Sequence, residues 1–223
     1  STLDRSSAAS DVYKRQIQVN NCNIFPKKKI FNILSPDSMR KYLRKTNANV
    51  VIHLAGLVKV GESVARPTAY YYTNVVGTKN VIDAFPNAKM IFASTGAAYD
   101  PTSPYARSKL MAEDIVQELC PDYTIFRFFN VGGGKPTNPE GLYAATQRAV
   151  DHGSFTIFGN DYDTADGTCV RDYVHVEDLC AAIVSAVGQP GSKTIEPIGS
   201  GRSYTVKEYV DAWLPVSYTH LTL

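Results

Sequence analysis

The chain has 223 residues, 44% of them hydrophobic, and a net charge of +2 from 23 basic and 21 acidic side chains. That content is ordinary for a globular protein and too high for a disordered one. The balance of charge gives no reason to expect nucleic acid or a membrane as partner, and no apolar run approaches bilayer length. Cys22, Cys120, Cys169 and Cys180 are far apart and form no C-x-x-C pair. Neither a zinc site nor a redox motif is indicated, no metal is expected, and free thiols in a reducing cytoplasm are the simplest reading.

In chain order, residues 1–16 show no core-facing periodicity and read as a non-native or disordered tail, resembling a translated sequencing adapter. Lys27, Lys28 and Lys29 read as a solvated turn. Ser35-Pro36 makes an N-cap and first-turn pair ahead of Met39, Tyr42 and Leu43. The run from Val50 to Ala55 predicts a strand buried on both faces, ending at Gly56. A helix is expected over Asn74 to Phe85, stopping before Pro86. Met90 to Ala93 predicts a second strand. Ser103-Pro104 opens a helix to about Cys120, and Tyr123 to Phe128 predicts a third strand. Gly132-Gly133-Gly134-Lys135 reads as a loop after a strand, because Pro136 stands where a P-loop needs Ser or Thr. Val176 to Val187 predicts a helix. Thr205-Val206-Lys207-Glu208 reads as a capping box opening a last helix towards Trp213. Residues 216–223 read as a second non-native tail.

This rhythm predicts an α/β fold with a doubly wound, Rossmann-like parallel sheet. The strand, Gly-rich turn and helix that usually cradle a pyrophosphate are not found before Val50. The expected organisation is an incomplete nucleotide-binding domain over 17–130. A mixed region over 131–215 follows, with part of a small C-terminal substrate domain and returning Rossmann elements. Ligands of such sheets sit beyond the carboxyl ends of the strands. Ala55-Gly56, Ser94-Thr95 and Phe129-Asn130 occupy those places.

Tyr105 and Lys109 are four apart at a helix start, which puts both on one face. A free phenol has a pKa of about 10, and an ammonium nearby favours the phenolate. Lowering it by about three units takes roughly 4 kcal/mol, which the lysine, the helix end and a cationic nicotinamide would share. Thr95, at the end of its strand, would hydrogen-bond the substrate oxygen that Tyr105 deprotonates.

On these residues the chain resembles the UDP-glucose 4-epimerase family, a branch of the extended short-chain dehydrogenases. The resemblance is carried by Val51 to Thr78, by SPYARSKLMAE (Ser103 to Glu113) and by FRFFNVGG (Phe126 to Gly133). Its most specific stretch is IFGNDYDTADGTCVRDYVHVEDL, Ile157 to Leu179. It implies NAD as cofactor, a UDP-sugar as substrate, and a homodimer through helices such as Asn74 to Phe85 and Ser103 to Cys120. It implies that Thr95, Tyr105 and Lys109 are the catalytic set. It places Asn32, Ile33, Leu54, Ala55, Gly56, Leu57, Val58, Asn74 and Phe129 at NAD, beside the catalytic three. It places Asn130, Leu142 and Arg171 at the sugar nucleotide, with Thr95 and Tyr105. Each has a plainer reading: Asn32 a turn residue, Asn74 a helix N-cap, Phe129 core, Arg171-Asp172 a local ion pair. His53 and His175 read as core histidines.

The chain departs from that pattern in several places. Val58 stands where the family commonly has lysine, and Lys59 follows one residue late. Gly141-Leu142 replaces Asn-Leu, and the stretch Asp100 to Pro104 is short. With the Gly-rich start absent and the C-terminal capping region cut, weak NAD binding is expected. The implied activity is epimerisation at C4 of a UDP-hexose through a 4-keto intermediate. The alternatives are a sugar-nucleotide dehydratase or oxidoreductase, or a catalytically inactive fragment. Gly96, Ala97 and Ala98 after Thr95 transfer no protons, which favours the epimerase over the dehydratase.

Overall fold

The three apolar runs form three parallel strands, β1 (Val50–His53), β2 (Lys89–Thr95) and β3 (Tyr123–Phe128). Their register sets Val51 opposite Met90 and His53 opposite Phe92. It sets Phe92 opposite Ile125 and Thr95 opposite Phe128. The computed structural model describes residues 32–37, 39, 48–134, 141–152, 155–157, 159–189, 191–213 and 221–222. The first tail, all of the second but Leu221 and Thr222, Cys22, the lysine run at 27–29, Lys135, Tyr42, Leu43 and the stretch before Asn32 lie outside them. β2 is buried at successive positions from Lys89 to Phe92, so both its faces are covered, as a continuous apolar run requires.

The described residues fall into two compact units, divided at Phe128/Phe129, Leu179/Cys180 and Pro197/Ile198. In the first, a further strand, Thr194–Ile198, lies beside β3 and gives a four-stranded sheet. On one face Met90 and Phe92 of β2 and Tyr123 and Ile125 of β3 form a core with Val81, Ile82, Ala112 and Val116. The Val, Ile, Met and Phe side chains among them each contribute roughly 1.5–3 kcal/mol on burial.

The helix expected from Asn74 starts earlier. After α1 (Val60–Ala65), Pro67 opens α2 (Pro67–Tyr71) at its first turn. The chain then passes through one π turn, Tyr72–Val76, into α3 (Gly77–Ala84). Asn74 is therefore interior, and its reading as an N-cap is corrected. Pro67 has no N–H to lose at a helix start, so it sets the boundary instead. α4 (Pro104–Leu119) begins where predicted, with the Ser103 hydroxyl accepting from the Ala106 amide at 3.1 Å. Between β2 and α4 lies a short 3-10 turn, Gly96–Tyr99.

The second unit holds a three-stranded sheet, with β4 (Asn130–Gly132) beside β5 (Val170–His175) and β5 beside β6 (Ser203–Thr205). Its helices are α5 (Leu142–His152) and α7 (Val206–Trp213). Between them in the chain, α6 (Val176–Val187) has its predicted bounds. The capping box closes reciprocally: the Thr205 amide donates to Glu208 Oε2 at 2.8 Å and the Glu208 amide to Thr205 Oγ1 at 3.1 Å.

Three further readings change. His175 is exposed, because strand alternation buries Val174 and leaves its neighbour outside; its Nδ1 accepts from the Glu177 amide. Arg171 and Asp172 do not pair, since neighbours on a strand point to opposite faces. Asp172 instead accepts from the Ser200 and Gly201 amides at 2.6 and 2.9 Å, and Arg171 donates to the Val170 carbonyl. The strand from Val50 ends at His53, leaving Leu54 and Ala55 in the turn. Among the described residues no helix is long and apolar enough to cross a membrane, and no cluster of metal-ligating side chains occurs.

Candidate active site

Parallel register brings the ends of β1 and β2 side by side, so the turn Leu54 to Val58 and Thr95 open from the same edge. Thr95 ends β2 and caps the 3-10 turn, its hydroxyl accepting from the Ala97 amide at 3.2 Å. Tyr105 sits in the first turn of α4 and meets the buried Tyr70 edge-on, with ring centroids 6.3 Å apart. The Thr95 side chain stands near enough to the Tyr105 phenol to draw its pKa down. The structure thus brings Thr95 and Tyr105 together, and it carries Lys109 one turn further along the same helix.

The electrostatics differ from the expectation. Burial pushes the Tyr105 phenol above its ordinary pKa, against the pull of the Thr95 side chain. Lys109, one turn on, is itself perturbed. Its own ammonium is buried, with Nζ 4.1 Å from the centroid of the Phe92 ring. Burial holds that amine down to about 7, with the Glu113 carboxylate opposing the shift. In a dry site the cost of holding a charge outweighs one favourable neighbour.

Glu113, one turn after Lys109, is fully buried. Arg127 of β3 grips it with two nitrogens, Nε to Oε1 at 3.1 Å and Nη2 to Oε2 at 2.7 Å. The Ser94 hydroxyl donates to it as well. The Arg127 guanidinium in turn lies 4.4 Å above the Tyr99 ring. This brace ties the end of β2 and the end of β3 to α4, and fixes where Thr95 stands relative to the helix carrying Tyr105. Sequence reasoning missed it. The Glu-after-Lys spacing of four was visible, but Arg127 and Ser94 are distant in the chain.

Of the other expected residues, Asn32 accepts from the Leu34 amide at 2.9 Å, which makes it a turn residue. The Ile33 carbonyl accepts from Asn80 Nδ2 at 2.9 Å, and its side chain packs on Gly77, where an added Cβ would stand 2.6 Å from Ile33 Cδ1. Val58 is exposed. Asn74 is buried and bonded to both backbone groups of Leu57, its Oδ1 to the amide at 2.8 Å and its Nδ2 to the carbonyl at 3.0 Å. Phe129, Asn130, Leu142 and Arg171 all belong to the second unit. There the Phe129 amide donates to the Ile198 carbonyl, and Asn130 Nδ2 donates to the Asp172 carbonyl at 3.1 Å. Leu142 opens α5 and packs on Phe155, Ile157 and Val210. Arg171 is exposed on β5.

The same unit contains an anchor that the sequence reading did not single out. Asp166 accepts from the Thr168 amide and hydroxyl at 2.9 and 2.8 Å and from the Thr205 hydroxyl at 2.5 Å. These bonds hold its carboxyl down to about 2. The signal was the string Thr164-Ala165-Asp166-Gly167-Thr168, an acid among hydroxyls at a turn.

Residues 3–198 match the family described as Epimerase: NAD dependent epimerase/dehydratase family. The chain belongs to this family. It is similar to a UDP-glucose 4-epimerase of Dictyostelium discoideum, 32% identical over 258 aligned positions that take in 99% of this chain and 72% of the relative. It is 37% identical to a UDP-glucose 4-epimerase of Yersinia pestis over 74% of this chain and 60% of that one. Among solved structures, the UDP-glucose 4-epimerase of Bifidobacterium longum in complex with NAD+ and UDP superposes with a TM-score of 0.71 at 28% identity. That match covers 92% of this chain and 69% of that one. The chain thus spans about 60–72% of the length of these relatives.

Proposed function

We propose that this chain carries the catalytic core of a UDP-hexose 4-epimerase, with NAD on the turn Leu54 to Val58 and a UDP-sugar over Thr95 and Tyr105. The observation that carries the reading is the placement of Thr95 at the carboxyl end of a parallel strand beside Tyr105 in the first turn of α4, with a buried Lys109 one turn on. The edge suits a dinucleotide. The turn Leu54 to Val58 follows β1 at the carboxyl end of the parallel strands, where ligands of such sheets sit.

When bound, NAD supplies the hydride acceptor for C4 and a positive ring that favours the Tyr105 phenolate. Tyr105 accepts the proton of the 4-hydroxyl and returns it after the 4-keto sugar has presented its other face. Thr95 holds the same oxygen by its hydroxyl. Lys109, poised near neutrality, takes up or releases charge beside the phenol with little cost. The second unit's Asn130, Leu142 and Arg171 are assigned to the sugar nucleotide, Arg171 to its diphosphate. Asn32, Ile33, Asn74 and Phe129 remain assigned to the cofactor side, Asn74 through its hold on Leu57. The domain assignment proposed is a nucleotide-binding part over 17–130 and a mixed part over 131–215.

Dehydration is disfavoured by the 3-10 turn itself: Gly96, Ala97 and Ala98, which follow Thr95, carry no proton-transferring group. A homodimer is proposed through the helices at Asn74 to Phe85 and Ser103 to Cys120. Tyr72 and Val76 on the first helical run, and Met111 and Leu119 on the second, stay largely exposed in the monomer.

The test is calorimetry of the chain with NAD, followed by incubation with NAD and UDP-galactose. UDP-glucose is the expected product, and a 4-keto-6-deoxy sugar would sink the epimerase reading. Tyr105→Phe should cut turnover by about 10²–10⁴-fold. Absence of NAD binding to the intact chain would overturn the cofactor assignment.

A further inference from the structure

Asn74 lies at the centre of the π turn, 1% exposed, and Ser108 in α4 is 0% exposed. A single π turn inside an α-helix is uncommon and clusters at functional sites. Here it sets the Asn74 side chain between two separate elements. Its Oδ1 accepts from the Leu57 amide at 2.8 Å. Its Nδ2 donates to the Leu57 carbonyl at 3.0 Å and to Ser108 Oγ at 2.9 Å. Ser108 Oγ then donates to the Tyr105 carbonyl at 2.7 Å.

The proton directions are determined. A backbone amide only donates and a carbonyl only accepts, so Leu57 fixes which end of the Asn74 amide is oxygen. Ser108 gives its one proton to Tyr105 and must accept from Asn74. On the other side, Thr78 Oγ1 donates to the Asn74 carbonyl at 2.6 Å, so the 3.0 Å contact with His53 Nε2 needs the proton on that nitrogen. A continuous buried chain thus runs from the end of β1 through the π turn to the backbone of Tyr105. Gly56 keeps it intact, since a Cβ there would stand 2.9 Å from Asn74 Oδ1.

We propose that Ser108 and Asn74 are positioning residues that lock the turn Leu54 to Val58 to the first turn of α4, so that Tyr105 is held in place against the dinucleotide seated on that turn. The functional half of this rests on the cofactor assignment above; the mechanical half does not. Asn74 has three of its four hydrogen-bonding positions committed within the protein. Its effect on a cofactor therefore passes through Leu57. Ser108 is fully buried, with its hydroxyl bonded to Asn74 and Tyr105, and acts through them.

The experiment is residue-resolved hydrogen exchange of the whole chain, with and without NAD. Ser108→Ala removes one oxygen on α4 and should speed exchange at the distant Leu57 amide by about five- to tenfold, the worth of one buried hydrogen bond. Ser108→Thr, which restores the hydroxyl, should restore that protection. Gly56→Ala pushes on Asn74 from the other side and should speed exchange at the start of α4; it decides alone if the Ser108 variants do not fold. Unchanged Leu57 exchange in Ser108→Ala overturns the lock, as does a uniform loosening of β2 and β3, which would mean global destabilisation. With NAD, the native chain should gain protection in the turn and in α4 together, and Ser108→Ala in the turn alone. If NAD protects both equally in Ser108→Ala, the functional half is wrong. If NAD alters nothing in the native chain, the cofactor assignment fails, and the ligand-free comparison still decides the mechanical half.

Discussion

Replacing Lys109 with methionine should stabilise the folded protein, and by an amount that depends on pH. Burial lowers the amine from 10.5 to about 7. Between those values the unfolded chain holds a proton that the folded chain releases, so stability rises with pH across that window. The penalty is fully present below pH 7 and fades as pH climbs through 10.5. At about 1.4 kcal/mol per unit, it amounts to roughly 4–5 kcal/mol at neutral pH. By pH 9 about 2 kcal/mol of it has gone. Methionine keeps an unbranched stem against the Phe92 ring and carries no charge to desolvate. Urea unfolding of the native chain and Lys109→Met, each at pH 7 and pH 9, measures this directly. The variant should be more stable at both, with its advantage smaller at pH 9 by about 2 kcal/mol. An advantage that stays constant, or grows with pH, would refute the account of Lys109 as a buried, strained amine. The expected loss of turnover would show stability traded for chemistry at this position.

The buried brace predicts an asymmetry. Glu113→Gln leaves the Arg127 guanidinium without its counter-charge and should cost about 3–5 kcal/mol by thermal or urea unfolding. Glu113→Met combined with Arg127→Met should recover most of that, and a double variant as unstable as the single one would count against the desolvation argument. His53 gives the acid-side counterpart. Burial first, and the Lys109 charge second, hold its imidazole down to about 3. A histidine depressed from 6.5 takes a proton on unfolding, so its contribution is present above pH 6.5 and lost as pH falls towards 3. His53→Gln should flatten the fall in stability between pH 6 and pH 4, seen as a smaller shift of the unfolding midpoint.

Much of the frame was legible because its signals are local. The runs at Val50, Met90 and Tyr123 became parallel strands, since near-continuous apolar runs fit a sheet covered on both faces. Ser103-Pro104 and Thr205 to Glu208 marked helix starts because capping uses side chains within three residues of the orphan amides. The sequence motif also singled out Thr95 and Tyr105, which the fold brings near one another.

What only the tertiary structure decided depends on groups far apart in the chain. The π turn at Asn74, the lock through Ser108 and the Glu113–Arg127–Ser94 brace each need partners from different elements. Burial likewise raises the Tyr105 pKa and lowers that of Lys109, which no spacing of residues reveals. The sequence by itself determined the strands, the helix starts and the motif that makes Thr95, Tyr105 and Lys109 candidates; the perturbed pKa values and the bracing came from the packing around them, because desolvation and buried hydrogen bonds exist only once the chain has closed over them.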